Sequence, residues 1–158
     1  MGSQKYFSGI ISTLILILVS IFYFRPQPIG TLINSTSPCE GTFNGTVEKV
    51  IDGDTLSIVD CSRHIRLSLV NAPETYESGY EEAKNFTSTL CPVGSIATVN
   101  QDEMQPFDTY DRIVALVQCQ GKNLNAELFN NHFALIEERY CSKSEFANED
   151  WAKSSCFG

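Results

Sequence analysis

The segment Ile51–Thr75, IDGDTLSIVDCSRHIRLSLVNAPET, sets Asp52 and Asp54 around a glycine, Arg66 within an apolar strand pattern, and Glu74 behind an Asn-Ala-Pro turn. Downstream, Asp108-Thr109-Tyr110-Asp111-Arg112 delivers a second arginine to the start of another apolar run. Carboxylate and amide oxygens suit a hard cation, guanidinium forks suit an oxyanion, and a glutamate beside a water suits general-base work. Taken singly, each of these residues also reads as ordinary surface charge, and Asp52-Gly53 as a hairpin turn using left-handed backbone. Arg66 favours the richer reading, because an arginine alternating with Ile65 and Leu67 either faces solvent or aims a charge at a partner on the sheet surface.

Elements able to position these groups follow from the apolar patterning. Thr46–Ile51, Thr55–Val59 and Ile65–Val70 read as three short strands of a meander, divided by Asp-Gly and by the polar tip Asp60-Cys61-Ser62-Arg63. Tyr80–Cys91 carries Ala83, Phe86 and Leu90 at helical spacing, with Ser78 as its expected cap. Two strands, Ile96–Asn100 and Arg112–Gln118, then turn near Gln105, and a helix spans Leu124–Phe133. Ser142-Lys143-Ser144-Glu145 reads as a capping box opening a last helix with Phe146 and Trp151. The order fits an α+β fold: a five-stranded OB-type barrel with about three packed helices, its strand ends free for a site.

The chain has 158 residues, and the domain is expected over residues 41–158. Tyr6–Phe24 is an uncharged apolar run between Lys5 and Arg25, long enough to cross a bilayer, so residues 1–25 read as a membrane anchor or signal sequence. No alanine precedes Ala72 to make an Ala-x-Ala cleavage site, which favours an anchor over a cleaved signal. Residues 26–40 read as a tether rich in Pro, Ser and Thr, and the domain is expected outside the cell, membrane-anchored or secreted, as a monomer. Three Asn-x-Ser/Thr triplets, at Asn34, Asn44 and Asn85, add weak support for export.

All six cysteines lie past the apolar run, without any Cys-x-x-Cys pair and with only two distant histidines, so disulfides are favoured over zinc. Cys91 and Cys119 flank the two later strands and are expected to pair. Cys39 with Cys61 and Cys141 with Cys156 complete one choice among the 15 pairings that six cysteines allow. Beyond Arg25, nine Lys and Arg stand against 19 Asp and Glu, a net charge of −10. This argues against a protein that holds polyanions through a broad basic surface. His64 reads as exposed, and Phe129, Phe133 and Tyr140 as core.

In IDGDT at 51–55, RLSLVNAPET at 66–75 and DTYDR at 108–112, with weaker agreement in LNAELFNNHFAL at 124–135, the chain resembles the staphylococcal nuclease (thermonuclease) family over about Thr46–Tyr140. The resemblance implies a calcium-dependent nuclease, acting as an endonuclease on DNA or RNA with little sequence preference. It implies Asp54, Asn71 and the carbonyl of Ala72 as calcium ligands, and Glu74 as the group that positions or deprotonates water. Arg66 and Arg112 would clamp the phosphate, Tyr110 would contact a neighbouring phosphate, and Asp52 would support the turn. The family's reference pattern has aspartate at the place of Asn71, and lysine and glycine at those of Thr109 and Asp111. These changes remove one charge from the calcium site and one cation from the substrate face. The alternative is an OB-type module that binds nucleic acid or another extracellular partner without catalysis. Joint retention of Asp54, Arg66, Glu74 and Arg112 discriminates against it, since binding alone does not require that set.

Overall fold

The computed structural model describes residues 39–158. The apolar run at 6–24 and most of the expected tether lie outside the described residues, among which no helix is long and apolar enough to cross a membrane. The chain forms strands β1 (Thr42–Val50), β2 (Thr55–Ile58), β3 (Ile65–Leu67) and β4 (Val70–Asn71), followed by helix α1 (Tyr80–Leu90). Strands β5 (Ile96–Gln101), β6 (Ile113–Cys119) and β7 (Lys122–Asn123) come next, then helix α2 (Leu124–Asn130) and strand β8 (Leu135–Ile136). Two 3₁₀ turns, Glu138–Tyr140 and Glu145–Asn148, lead to helix α3 (Asp150–Phe157).

Strands β1, β2, β3, β5 and β6 close into a barrel of the OB type. A register shift between Val47 and Lys49 bends β1, so that its first half pairs with β5 and its second half with β2. Closure comes from a parallel contact between β3 and β6, with Ile65 beside Ile113, Arg66 beside Val114 and Leu67 beside Ala115. The interior is apolar and tightly enclosed: Leu56, Ile65, Val99 and Val117 are each 0% exposed. Burial of each such side chain contributes about 1.5–3 kcal/mol, which makes the barrel the rigid part of the molecule.

The expected strand Ile65–Val70 is interrupted. Leu69 takes a left-handed φ of 65° and reverses the chain, so Val70–Asn71 leaves the barrel and pairs with β8. Burial of Leu69 against Leu116, Phe146 and Ala147 holds this unfavourable backbone in place. Gly53 also differs from its expected reason. Its φ is not left-handed; rather, a Cβ there would stand 2.6 Å from the Cβ of Ala72 and 2.8 Å from that of Ala83. The glycine lets α1 and the strand exit close over the turn, where Thr87 Oγ1 donates to the Gly53 carbonyl at 2.6 Å.

Helix caps depart from expectation in the same local way. Gly79, with φ of 94°, stands at the N-cap of α1, and Ser78 makes no cap bond. At the C-terminal segment Ser144, not Ser142, caps the turn by accepting from Phe146 N, and Glu145 reaches away to accept from Glu103 N. The three expected disulfides are formed, Cys39–Cys61, Cys91–Cys119 and Cys141–Cys156, with Cα separations of 5.8, 5.3 and 5.4 Å.

Two buried polar residues lock the loops onto the barrel. Asp102, fully buried, accepts from the backbone N–H groups of Met104, Gln105 and Glu145 and from Ser68 Oγ, which ties the β5–β6 loop to the C-terminal segment. Asn125 on α2 accepts from Val117 N at 3.0 Å and donates to the carbonyls of Ser68 (2.9 Å) and Ala115 (3.1 Å), beside the Leu69 reversal. Asn125→Ala would strand the Val117 N–H and the Ser68 carbonyl, while the Ala115 carbonyl keeps the Ser68 N–H at 2.8 Å, and is expected to cost about 2–4 kcal/mol in denaturant unfolding. A loss below about 1 kcal/mol would mean that these groups find other partners on relaxation.

Candidate active site

Barrel closure sets the geometry of the site. Thr55 lies directly across from Arg66 in the β2–β3 ladder, and Val114 lies beside Arg66 in the parallel β3–β6 ladder. Since residues two apart share a face, Arg112 projects on the same side as Val114, and therefore beside Arg66 and Thr55. Ile65 and Leu67 point inward, leaving Arg66 on the outer surface of the barrel.

A hydrogen-bonded chain joins the two arginines. Asp108 Oδ2 accepts from Arg112 Nε at 2.6 Å, and Arg112 Nη1 donates to Thr55 Oγ1 at 3.2 Å. Thr55 Oγ1 donates to Asp54 Oδ1 at 3.2 Å, and Asp54 Oδ2 meets Arg66 Nη2 at the same distance. Arg66 Nη2 also donates to Asn71 Oδ1, and Nη1 to the carbonyls of Leu67 and Val70, so the guanidinium fills the reversal created by Leu69. Among the described residues Arg112 Nη2 has no partner and is left for a ligand, whereas a ligand on Arg66 would use Nε or displace the 3.2 Å contacts.

Asp108 shapes the second motif. Its Oδ1 accepts from the backbone N–H groups of Tyr110 (2.9 Å) and Arg112 (3.0 Å), and these bonds hold its carboxyl below the usual aspartate range against the opposing effect of burial. Asp111, where the family pattern carries glycine, adopts the left-handed φ of 60° that glycine would take most easily, and its carboxylate pairs with Arg63 at 2.9 Å. The acid is therefore directed away from Arg112, while Tyr110 lies exposed with the Arg112 guanidinium 5.4 Å from its ring centre.

Arg66, Asn71, Glu74, Tyr110 and Arg112 line one cleft of about 190 Å³. This is smaller than the several hundred Å³ usual for an enclosed small-molecule site, and suits one charged group of a ligand whose remainder lies outside. Glu74 is exposed at the cleft, and among the described residues its carboxylate has no ion-pair partner; its backbone N–H donates to Glu77 Oε2 at 2.8 Å, which fixes the turn. Asp54 and Ala72 lie beneath, both buried, with the Ala72 N–H donating to Asp54 Oδ2 at 2.6 Å. Asp52 Oδ1 accepts from Asp54 N, the turn-supporting contact expected of it.

The donors Asp54, Asn71 and the Ala72 carbonyl are all oxygens, which fits a hard cation and not a soft one. The set carries a single carboxylate, and among the described residues no three His, Cys, Asp or Glu side chains converge on a metal position. Most of the ligand shell of a calcium ion here would be water. Asp54 offers a reason for a cation to bind: burial pushes its carboxyl up from 3.8 to about 6, with Asp52 adding to the effect, although Arg66 and the Ala72 N–H pull it down. A divalent ion would relieve that uncompensated burial.

Sequence reasoning missed Thr55 as the link between the arginines, and Glu137 and Arg139, which line the same cleft from beyond β8. Tyr140, expected in the core, is half-buried, packs against the cluster of Leu69, Leu116 and Phe146, and also borders the cleft. The available signal was the abrupt run Glu137-Glu138-Arg139-Tyr140 after Phe133-Ala134-Leu135-Ile136. Phe129 and Phe133 do pack on the core, with Phe133 4.4 Å from Phe86 between ring centres, and His64 is exposed.

The raised Asp54 carboxyl makes stability depend on pH in a defined direction. The folded state holds the proton more tightly than the unfolded chain, so ionisation of Asp54 costs stability as pH rises from about 4 through about 6, and the cost is complete above that range. In metal-free protein Asp54→Asn is expected to stabilise the fold by about 2 kcal/mol at pH 8 and to have little effect at pH 4. Denaturant melts at the two pH values measure this; equal effects at both would remove burial of the charge as the cause.

The family described as staphylococcal nuclease homologue matches residues 64–154, a range that includes Arg66, Asn71, Glu74, Tyr110 and Arg112 and begins after Asp54. Among curated proteins, the chain is 31% identical over 110 residues to endonuclease YhcR of Bacillus subtilis (strain 168), covering 60% of this chain and 9% of that protein. It is 30% identical over 100 residues to an Escherichia coli protein named as an uncharacterized endonuclease, covering 61% of this chain and 63% of that protein. The chain thus spans less than two thirds of either relative. With an OB-type barrel, the motifs IDGDT, RLSLVNAPET and DTYDR around one cleft, and a family match over more than half its length, this chain belongs to the staphylococcal nuclease homologues.

Proposed function

We propose that this protein is a calcium-dependent nuclease that hydrolyses phosphodiester bonds of DNA or RNA with little sequence preference. The observation that carries the reading is the convergence, in a single small cleft, of two acid-anchored arginines and one carboxylate that has no ion-pair partner among the described residues. The endonuclease names of both relatives point the same way.

In this reading Arg66 and Arg112 take the non-bridging oxygens of the scissile phosphate. Their guanidinium planes are already oriented by Asp54, Asp108 and Thr55, so little reorganisation accompanies substrate binding. Glu74 holds a water by hydrogen bonding and accepts its proton as the water oxygen bonds to phosphorus and the bond to the leaving oxygen breaks. Negative charge grows on the phosphate in the five-coordinate transition state, and the Arg112 Nη2–H is free to meet it. Tyr110, exposed at the rim, contacts a neighbouring phosphate. Calcium, when bound by Asp54, Asn71 and the Ala72 carbonyl, would supply positive charge to the phosphate and the water.

Local charge must do this work, because the domain as a whole is strongly acidic. The export and membrane attachment expected from residues 6–24 belong to the same proposal, as does action on nucleic acid as a monomer.

The decisive assay offers single-stranded DNA, duplex DNA and RNA to the purified protein with calcium or with chelator. Calcium-dependent cleavage is expected, whereas binding without cleavage would leave a nucleic-acid-binding module. Glu74→Gln should slow cleavage by two or more orders of magnitude, on the order of 3 kcal/mol, with little change in melting temperature. Near wild-type cutting by this variant would remove Glu74 from its role. Asn71→Asp adds an anionic ligand and should tighten calcium binding by about tenfold, roughly 1.4 kcal/mol, by calorimetry. Unchanged or weaker affinity would mean that Asn71 does not face the metal.

A further inference from the structure

The cleft holds a third guanidinium that neither the sequence motifs nor the proposed mechanism uses. Arg139 lines it together with Glu137 and Tyr140, and the segment is anchored at the strand exit by Glu137 N donating to the Leu69 carbonyl at 2.7 Å. Three of the nine lysines and arginines beyond Arg25 therefore border one small cleft, where Glu74, Asp108 and Glu137 also line it, so three guanidiniums gather in a domain whose charge is otherwise strongly acidic.

Arg139 differs from its two neighbours in how it is held. The side chains of Arg66 and Arg112 are 15% and 26% exposed and are fixed by largely buried aspartates. That of Arg139 is 76% exposed, and Glu137 grips it in a two-pronged contact, Nε to Oε1 at 2.8 Å and Nη2 to Oε2 at 2.9 Å. This is the geometry in which a guanidinium binds a phosphate, with the carboxylate taking the place of two phosphate oxygens. An exposed ion pair of this kind contributes little to stability, so exchanging one oxyanion for another costs little. The Arg139 guanidinium and the Lys143 ammonium also stand 5.7 and 5.9 Å from the Tyr140 ring centre, giving the rim an aromatic face flanked by cations. Hydrogen bonds from Arg139 hold the Glu137 carboxyl below the ordinary range, with a smaller contribution from the charge of Arg66, so the two guanidiniums act on the same acid.

We propose that Arg139 is a substrate-anchoring residue, which leaves Glu137 to take a phosphate adjacent to the one held by Arg66 and Arg112, and that Glu137 sets the affinity of this exchange by competing for the guanidinium. The inference rests on the nuclease reading and supplies its substrate contact on the side opposite Tyr110 in sequence. It also accounts for how the chain compensates for Thr109, where the family pattern has a cation.

Full-length wild type, Arg139→Ala, Arg139→Lys and Glu137→Gln are compared on a short single-stranded DNA, by steady-state cleavage with calcium over a range of salt concentrations. Binding of the same DNA is followed by fluorescence anisotropy in a Glu74→Gln background. Arg139→Ala should raise KM and Kd about tenfold with kcat changed less than twofold, and Arg139→Lys should restore only part of the loss. The salt slope of log Kd should fall by about 0.7, one single-strand phosphate contact. Glu137→Gln should move KM and Kd the other way, several-fold tighter. Unchanged KM, Kd and salt slope in Arg139→Ala, with wild type cutting normally, would overturn the inference alone, as would weaker binding by Glu137→Gln. A wild type that neither cuts nor binds DNA or RNA would overturn the nuclease reading and this inference with it.

Discussion

Everything at the site depends on three residues of β3 lying parallel to three of β6. That short closure brings Arg66 alongside Val114 and so places Arg112 within reach of Thr55 and Asp54, although the two arginines are far apart in sequence. The closure is itself held by burial: Ile65, Leu67, Ile113 and Ala115 are each no more than 1% exposed. A parallel contact of this size makes few backbone bonds, and the apolar side chains beneath it supply the stability that lets charged groups sit above it.

Above the closure, polar groups are arranged for orientation at some expense of stability. Asp54 is ionisable, nearly buried and only partly compensated by Arg66. Leu69 carries a backbone conformation that a β-region leucine would avoid, and Arg66 uses two donors on the carbonyls that the reversal exposes. Such costs concentrate where a ligand is expected to repay them, and the buried anchors Asp102 and Asn125 supply the surrounding rigidity. Because the net charge of the domain opposes a polyanion, attraction of the proposed substrate would come from this patch at short range. Under the proposed function, selectivity for phosphate groups would follow from geometry more than from a long-range field.

The fold and the inner site were largely legible because they are encoded locally. Alternating Val, Ile, Leu and Thr marked the strands, Ala83, Phe86 and Leu90 marked α1, and Asp54, Arg66, Glu74 and Arg112 occur in motifs only a few residues long. What stayed hidden depends on contacts between distant segments. Nothing in Leu67-Ser68-Leu69-Val70 signals a break, since the reversal is imposed by packing of Leu69 against the C-terminal segment. Gly53 looked like a turn glycine, and only the approach of Ala72 and Ala83 reveals why a side chain cannot stand there. Glu137 and Arg139 went unnoticed because β8, which carries them to the cleft, is two residues long and pairs with a strand more than sixty residues earlier. The capping box expected at Ser142 gives way to a cap at Ser144, because Glu145 is held instead by Glu103 N and Asp102.

The placement of the disulfides has a consequence for how the molecule survives damage. The Asp102–Arg112 loop, which carries Asp108, Tyr110 and Arg112 to the cleft, is largely exposed, and it lies wholly within the ring closed by Cys91 and Cys119. A protease that cuts this loop once would leave two pieces still covalently joined, with β5 and β6 in register on either side. Cys39–Cys61 and Cys141–Cys156 do the same for cuts in the β2–β3 tip up to Cys61 and in the segment before α3. A single nick in any of these places is a local wound and not a loss of the chain, whereas the exposed Glu74–Ser78 turn lies outside all three rings and one cut there parts the chain.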